Sequence, residues 1–147
     1  MKKRIYSMLL AVIMLVSFTI PAFAADISNT TIIDCGDGYY LKVTTTEYTS
    51  DTATRTIYQR SASSKGDAYH GSTYIGTFYL NGTFQYDTKT SKAVADSWSA
   101  SSSYGYSGDS SRSGNKVSGY CIFNYAGGKR LTMSISCDKN GEFSYSS

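Results

Sequence analysis

The chain has 147 residues, with 14 Lys and Arg, 11 Asp and Glu and a formal net charge of +3. The excess positive charge lies in Lys2, Lys3 and Arg4, so the residues after position 24 carry 11 basic and 11 acidic side chains. This neutrality argues against a nucleic acid partner, which would require a basic surface. The length fits one domain with a single hydrophobic core.

The first 24 residues have the pattern of a secretory signal peptide. The basic residues precede an apolar run over positions 5–20, and the small-residue sequence Ala22-Phe23-Ala24 follows Pro21. This order of charged, apolar and small-residue regions is typical of cleaved export signals. We therefore expect a secreted mature chain of residues 25–147. No later apolar run approaches about 18 residues, so the sequence predicts no membrane contact after cleavage.

The mature sequence has the composition of an all-β domain. Ser and Thr provide 37 of its 123 residues, and 13 Tyr, four Phe and Trp98 supply the aromatic rings. Thr, Tyr and Phe favour strands, whereas the helix formers Leu, Ala and Glu are sparse. Short polar–apolar alternations between Gly, Asn and Ser turns indicate an antiparallel β-sandwich or barrel-like domain. We predict roughly six to eight strands over about residues 30–146.

Two stretches in the first half of the chain alternate with the period of a strand. In residues 39–50, Leu41 and Val43 fall on one face. In residues 74–86, every second residue is aromatic, Leu or Gly. A two-residue hairpin turn at Asn81-Gly82 would mix the two faces of this second stretch. One long strand is therefore favoured, and a three-residue loop at the same place is the alternative.

The second half of the chain predicts a strand, a loop and a hairpin. Residues 92–101 form the strand, which carries Trp98. Residues 102–116 are rich in Ser and Gly and indicate a long mobile loop containing Tyr104 and Tyr106. Residues 117–125 and 131–137 then form the hairpin. The apolar residues of both strands have odd residue numbers. They face the same side only if odd-numbered residues pair with odd-numbered ones, so that each pair has an even sum, and we expect that register.

Three cysteines in an exported chain raise the question of disulfide pairing. Cys121 and Cys137 share one face of the predicted hairpin, so we expect a bridge between them, with Cys35 unpaired. Such a bridge would close a loop of ~15 residues and would stabilise the fold by about 3 kcal/mol in the chain-entropy model. A Cys35–Cys137 bridge and a wholly reduced set are the alternatives.

Groups that could carry catalysis or bind a metal are scarce. His70 is the only histidine, and no Gly-x-Ser-x-Gly sequence is present to provide a hydrolase nucleophile. The two glutamates, Glu47 and Glu142, lie among strand residues, which does not suggest a facing pair of carboxylates. Residues 138–142 have the start of a calcium loop without its later ligands, and a hairpin turn explains them. The sequence therefore predicts no enzyme, no cofactor and no metal site.

Four short motifs are spread over most of the mature chain. They are Asp34–Tyr40, Gly82–Tyr86, Ser113–Lys116 and Ser134–Gly141. These motifs resemble a family of small secreted proteins of clostridia and related Gram-positive bacteria that has no assigned activity. The resemblance implies a signal peptide and an all-β domain, and it supplies no catalytic residue.

The aromatic rings provide the remaining functional signal. Rigid rings give recognition surfaces a large contact area at low entropic cost, although the same rings also fill cores. The rings expected in the core are Phe78, Phe84, Tyr86 and Phe123. Trp98, Tyr104 and Tyr106 are the predicted contact residues. We expect a non-catalytic extracellular binding protein for a glycan, a cell wall or a protein. The alternative is a secreted bacteriocin-like or toxin-like antagonist of other bacteria.

The cleavage site is directly testable. Amino-terminal sequencing of the protein from culture supernatant should begin at Ala25, because signal peptidase cleaves after a small-residue sequence of this kind. A protein that retains Met1, or that stays bound to the producing cell, would contradict the predicted signal peptide.

Overall fold

The computed structural model describes residues 27–54 and 56–147, so the predicted signal peptide and its cleavage site lie outside the described residues. The described residues form nine strands and no helix, which confirms the all-β prediction. The strands are β1 (Ile27–Gly36), β2 (Tyr39–Thr54), β3 (Ile57–His70), β4 (Thr73–Tyr86), β5 (Ser91–Ser101), β6 (Tyr106–Ser113), β7 (Lys116–Phe123), β8 (Arg130–Cys137) and β9 (Phe143–Ser146).

The strands follow one another as antiparallel neighbours in two sheets. β1 to β5 form a 5-stranded sheet in chain order, and β6 to β9 form a 4-stranded sheet. Because the chain reverses after every strand, the turns after β1, β3, β5 and β7 come to one end of the molecule. A hydrogen bond of 2.9 Å from Gly71 N to Gly38 O and one of 3.0 Å from Asn124 N to Gly105 O connect these turns in pairs. We call this the Tyr125 end.

The two sheets pack face to face over one shared hydrophobic cluster. The Phe78 and Phe84 side chains of β4 are fully buried. The Phe78 ring centroid lies 6.5 Å from that of Phe123 in β7, and the Phe84 centroid lies 5.6 Å from that of Phe143 in β9. Together with the buried Tyr86, these positions confirm the four rings predicted for the core.

The register of the strands confirms two further predictions. β4 runs without a turn through Gly82, which pairs with Ala62 on one side and Asp96 on the other. A Cβ on Gly82 would lie 2.7 Å from the Phe84 ring, so this glycine serves close packing and not a hairpin. In the hairpin of β7 and β8, Val117 pairs with Ile135, which is the expected even register.

The predicted loop over residues 102–116 is wrong, because most of it forms β6. The strand count is therefore nine in the described residues and not six to eight. Inward-facing positions of β6 hold the small residues Gly108 and Ser110, which gave the segment the composition of a loop. A Cβ on Gly108 would lie 3.0 Å from the Trp98 ring. The indole of Trp98 in β5 therefore fills the space beside this glycine of β6.

The two sides of the double sheet differ because the sheets have unequal numbers of strands. Between β5 and β6, Ser110 Oγ donates a 2.7 Å hydrogen bond to Asp96, and Arg112 donates one of 2.7 Å to Val94 O. On the opposite side, β1 and β9 leave a cleft of about 380 Å³ whose apolar lining includes Val43. The two sheets are not joined by strand pairing, so the described strands do not close into a barrel.

The assignment of faces predicts unequal effects of two neighbouring substitutions in β4. Phe78→Ala should lower the free energy of unfolding by about 3–5 kcal/mol, because it removes a fully buried ring and leaves a cavity. Tyr79→Ala should change it by less than about 1 kcal/mol, because this side chain is 38% exposed on the outer face. Urea unfolding followed by fluorescence measures both values, and equal losses would contradict the assignment.

Candidate functional site

The three predicted contact residues pack against different aromatic neighbours. Trp98 is half-buried against the core, and its ring meets Tyr106 edge to face with centroids 6.2 Å apart. Tyr104 instead lies with its ring centroid 4.7 Å from that of Tyr125. Tyr104 and Tyr106 are 42% and 44% exposed, as a contact role would require. Trp98 packs where β5 and β6 adjoin, against Gly108 and Tyr106.

A second set of rings surrounds the single histidine at the Tyr125 end. The His70 ring centroid lies 4.5 Å from that of Tyr39 and 5.8 Å from that of Tyr125. The Tyr39 hydroxyl donates a 2.9 Å hydrogen bond to Tyr125 O, which joins the two sheets at this end. His70 thus packs within an aromatic cluster. Within residues 27–54 and 56–147, no group of three or more His, Cys, Asp or Glu side chains could hold a metal ion.

A row of three tyrosines crosses the outer face of the 5-stranded sheet, and sequence analysis did not identify it. The rings of Tyr40 and Tyr69 stack with centroids 4.9 Å apart and planes 4° apart, and Tyr74 meets Tyr69 edge to face at 5.5 Å. The stacked rings cover one another, so each offers less open face to a ligand. The Tyr74 hydroxyl is hydrogen-bonded to Thr77 Oγ1 at 2.7 Å.

Elsewhere on this outer face, polar side chains bond to one another across the strands. Such pairs include Thr30 with Thr44 at 3.2 Å, Ser61 with Thr83 at 3.0 Å, and Asn81 with Ser97 at 3.2 Å. Cross-strand pairs of this kind stabilise a sheet and use part of its hydrogen-bonding capacity internally. This face is therefore a self-paired polar surface with a tyrosine row near one end.

The outer face of the 4-stranded sheet carries a row of serines, one from each strand. The register pairs Ser111 with Ser118, Ser118 with Ser134, and Ser134 with Ser146. The Oγ atoms of Ser134 and Ser146 lie 2.7 Å apart. Ser111, Ser118 and Ser134 line a hollow of about 280 Å³ in the sheet surface, whereas Ser146 lines the cleft between β1 and β9. We call this hollow the serine trough.

Larger side chains stand on both sides of the serine trough. On one side, Tyr120 pairs with Asp109 and with Thr132, and the Arg130 guanidinium carbon lies 3.6 Å from the Tyr120 ring centroid. When a guanidinium stacks on a ring, its planar face contacts the ring. Its N–H groups point outward in the plane and can still donate hydrogen bonds to other acceptors. On the other side stands Lys116, which also lines the hollow.

The trough combines hydroxyl groups with a planar stack and few charges. Each serine hydroxyl can donate one hydrogen bond and accept others, and the Arg130 guanidinium can only donate. The carboxylate of Asp109 adds an acceptor, and the lining cations are Lys116 and Arg130. Such a set suits a ligand that carries many hydroxyl groups and presents donors and acceptors together.

Sequence analysis missed the trough because it depends on strand pairing. The alternation that buries Val117 and Cys121 also places Ser118 and Tyr120 outside, and this signal was present in the predicted hairpin. The row becomes visible only when β6 is recognised as a strand, which adds Ser111. The register with the last strand then adds Ser146.

The expected Cys121–Cys137 bridge is not formed, because all three cysteines are free thiols. The register places Leu131 opposite Cys121, so Cys137 lies six residues further along β8, or about 20 Å at the rise of a strand. The alternative bridge from Cys35 to Cys137 is not formed either. Burial raises the pKa of the Cys121 thiol to about 11, and it also raises the pKa of Cys137 and of Cys35.

Comparison with known proteins gives no relative from which a function could be transferred. No family model, no curated protein and no solved structure matches this chain. In the part of the chain that the structure describes, no helix has the length and apolar character needed to cross a membrane. A functional proposal therefore has to come from the geometry of the outer faces.

Thiol titration tests the corrected cysteine assignment. All three thiols should react with Ellman's reagent in denaturant. In the native protein at pH 8, Cys121 should stay unreactive, because a pKa near 11 leaves only about one thiolate in a thousand and the side chain is buried. Cys35, which is partly exposed, should react first. Fewer than three reactive thiols in the unfolded chain would show that a disulfide exists.

Proposed function

We propose that the chain is a secreted, non-catalytic binding protein that binds glycans of an extracellular surface at the serine trough. The observation that supports this proposal is the hollow lined by Ser111, Ser118 and Ser134, with the stack of Arg130 on Tyr120 beside it. The signal peptide pattern supports secretion, and the shared core of the two sheets supports a β-sandwich scaffold.

A glycan suits the trough because both surfaces are dense in hydroxyl groups. Sugar hydroxyls donate and accept hydrogen bonds, and a serine hydroxyl can accept from a donor or donate to an acceptor. Hydroxyls pair across strands on both outer faces, as Ser61 and Thr83 do on one and Ser134 and Ser146 do on the other, so the trough is distinguished by its hollow and by the stack of Arg130 on Tyr120. Few ion pairs would form between a neutral glycan and this site, so binding should depend only weakly on salt.

The predicted contact residues offer a second surface for the same function. Tyr104 and Tyr106 are exposed, and each could stack against a sugar face or pack into a partner. Tyr104 packs on Tyr125, whereas Tyr106 packs on Trp98. The trough is the stronger candidate because the paired strands β6, β7 and β8 hold its groups in one fixed arrangement.

A substitution that fills the trough should abolish binding while the fold is kept. Ser118→Tyr places a ring in the centre of the row on a strand position that suits tyrosine, so it should weaken glycan binding at least about tenfold. Ser99→Tyr is the matched control, because Ser99 is exposed on the outer face of the 5-stranded sheet opposite Tyr79. Pull-down with insoluble cell-wall polysaccharide and a glycan array, each at low and high salt, provide the readout.

The outcomes separate the proposals. Loss of binding in Ser118→Tyr, with Ser99→Tyr and wild type alike, supports the trough. Loss in Tyr104→Ala or Tyr106→Ala with Ser118→Tyr unchanged would assign binding to the predicted rings and overturn the trough. Failure of the wild-type protein to bind any glycan would contradict the proposed function. Inhibition of bacterial growth by the pure protein would then favour the antagonist.

A further inference from the structure

We propose that β1 pairs with β1 of a second copy of this chain, so that two 5-stranded sheets join edge to edge in an antiparallel dimer. A free sheet edge presents unpaired N–H and C=O groups to which another strand can bond, and proteins usually protect such edges. The β1 edge is separate from the serine trough, which lies on the other sheet. The dimer therefore does not depend on the proposed glycan site.

The other sheet edges are protected. In the part of the chain that the structure describes, β1, β5, β6 and β9 stand at the edge of a sheet. β5 and β6 adjoin, and Ser110 of β6 donates a hydrogen bond to Asp96 of β5. β9 has only 4 residues, and a short edge strand offers little to pair with. β1 has 10 residues and, among the described strands, pairs only with β2. It is therefore the long open edge, beside the cleft.

The sequence of β1 lacks the features that discourage strand pairing. Residues 27–33 contain no charged side chain, no Pro and no Gly, and Ile and Thr provide five of the seven. Ile27 and Ile32 are 55% and 69% exposed. The bulge of β1 and its one charged residue, Asp34, come only after this segment. If the signal peptide is removed as predicted, two residues precede Ile27, too few to cover the edge.

The hydrogen-bonding pattern of an antiparallel sheet restricts how two copies can meet. Along β1, alternate residues direct their N–H and C=O groups toward β2, and the residues between them direct these groups outward. The outward groups of two copies face one another only if the numbers of opposed residues add to an even sum. The same parity places the core-facing side chains of both copies on one side of the joined sheet. Pairing with a second copy thus extends the sheet without turning an apolar face outward.

Charge at the two ends of the segment selects the register. Asp26 precedes the segment, and Asp34 follows it. A pair centred on Thr30 would bring these carboxylates of the two copies together, which is unfavourable. A pair centred on Thr31 instead sets Asp34 opposite Ser28, whose hydroxyl can donate to a carboxylate. Registers centred further away pair fewer residues. We therefore expect Thr31 of one copy to lie opposite Thr31 of the other.

Sedimentation equilibrium of the purified mature protein at about 5 to 500 μM measures the association. The weight-average mass should rise with concentration from that of one chain toward that of two. A single strand pair is a narrow interface, so the dimer should dissociate on dilution. A mass of one chain at every concentration would overturn the proposal. Growth beyond two chains would also overturn it, because each copy has one long open edge among its described strands.

Charge exchange at Thr31 tests where the copies meet. Thr31 is exposed, so Thr31→Lys and Thr31→Glu should both keep the circular dichroism of the wild type. Each variant alone should raise the dissociation constant of the dimer at least about tenfold, because like charges then face one another across the strand pair. An equimolar mixture of the two variants should recover dimers at least as tight as wild type, because Lys of one copy then meets Glu of the other.

Ser99→Lys and Ser99→Glu are the matched controls, because Ser99 is exposed on the outer face of β5. Alone and mixed, they should associate as the wild type does. A wild-type dissociation constant in Thr31→Lys would show that the copies meet at another surface. Folded Thr31 variants that stay monomeric when mixed would show that the two residues do not face one another. Either result would overturn the proposed dimer.

Discussion

The packing of two sheets over one core is the constraint on which the rest of the molecule depends. Phe78 and Phe123 meet across the sheets, and Gly119 lets Leu80 approach so closely that a Cβ there would lie 2.7 Å from Leu80 Cδ1. Side chains alternate along a strand, so burial of one face determines which side chains point outward. In β7, the burial of Cys121 thus places its neighbour Tyr120 on the outer face.

The same constraint separates the roles of the two outer faces. On the 5-stranded sheet, hydroxyls and amides are bonded across strands, as in the pair of Asn81 and Ser97, and contribute to the stability of a wide sheet. On the 4-stranded sheet, a hollow with donors and acceptors is lined by Ser111, Ser118 and Ser134 and by the stack of Arg130 on Tyr120. Under the proposed function, recognition falls to the trough, and substitutions there should leave the core intact.

Periodicity alone predicted the long strand β4, the core rings and the register parity of β7 and β8, because large apolar side chains recur there at every second position. The same reasoning failed at β6, whose inward residues such as Gly108 are small because Trp98 of another strand fills the space. It also failed for the Cys121–Cys137 bridge. Parity places both cysteines on one face, but the offset between the strands is set by the turn at residues 124–129, where Ala126 and two glycines adopt positive φ. The trough depends on two such offsets at once, between β6 and β7 and between β7 and β8, so no local pattern could reveal it.

The central claim is that the core fixes the serine trough on an outer face where it binds ligand. Nuclear magnetic resonance titration of the ¹⁵N-labelled protein with a soluble fragment of cell-wall polysaccharide tests this most directly. The account predicts that amide shift changes will concentrate at Ser111, Ser118, Ser134 and their neighbours on β6 to β9, with little change on β1 to β4. Changes centred on the tyrosine row at Tyr40 and Tyr69, or on Tyr104, would contradict it.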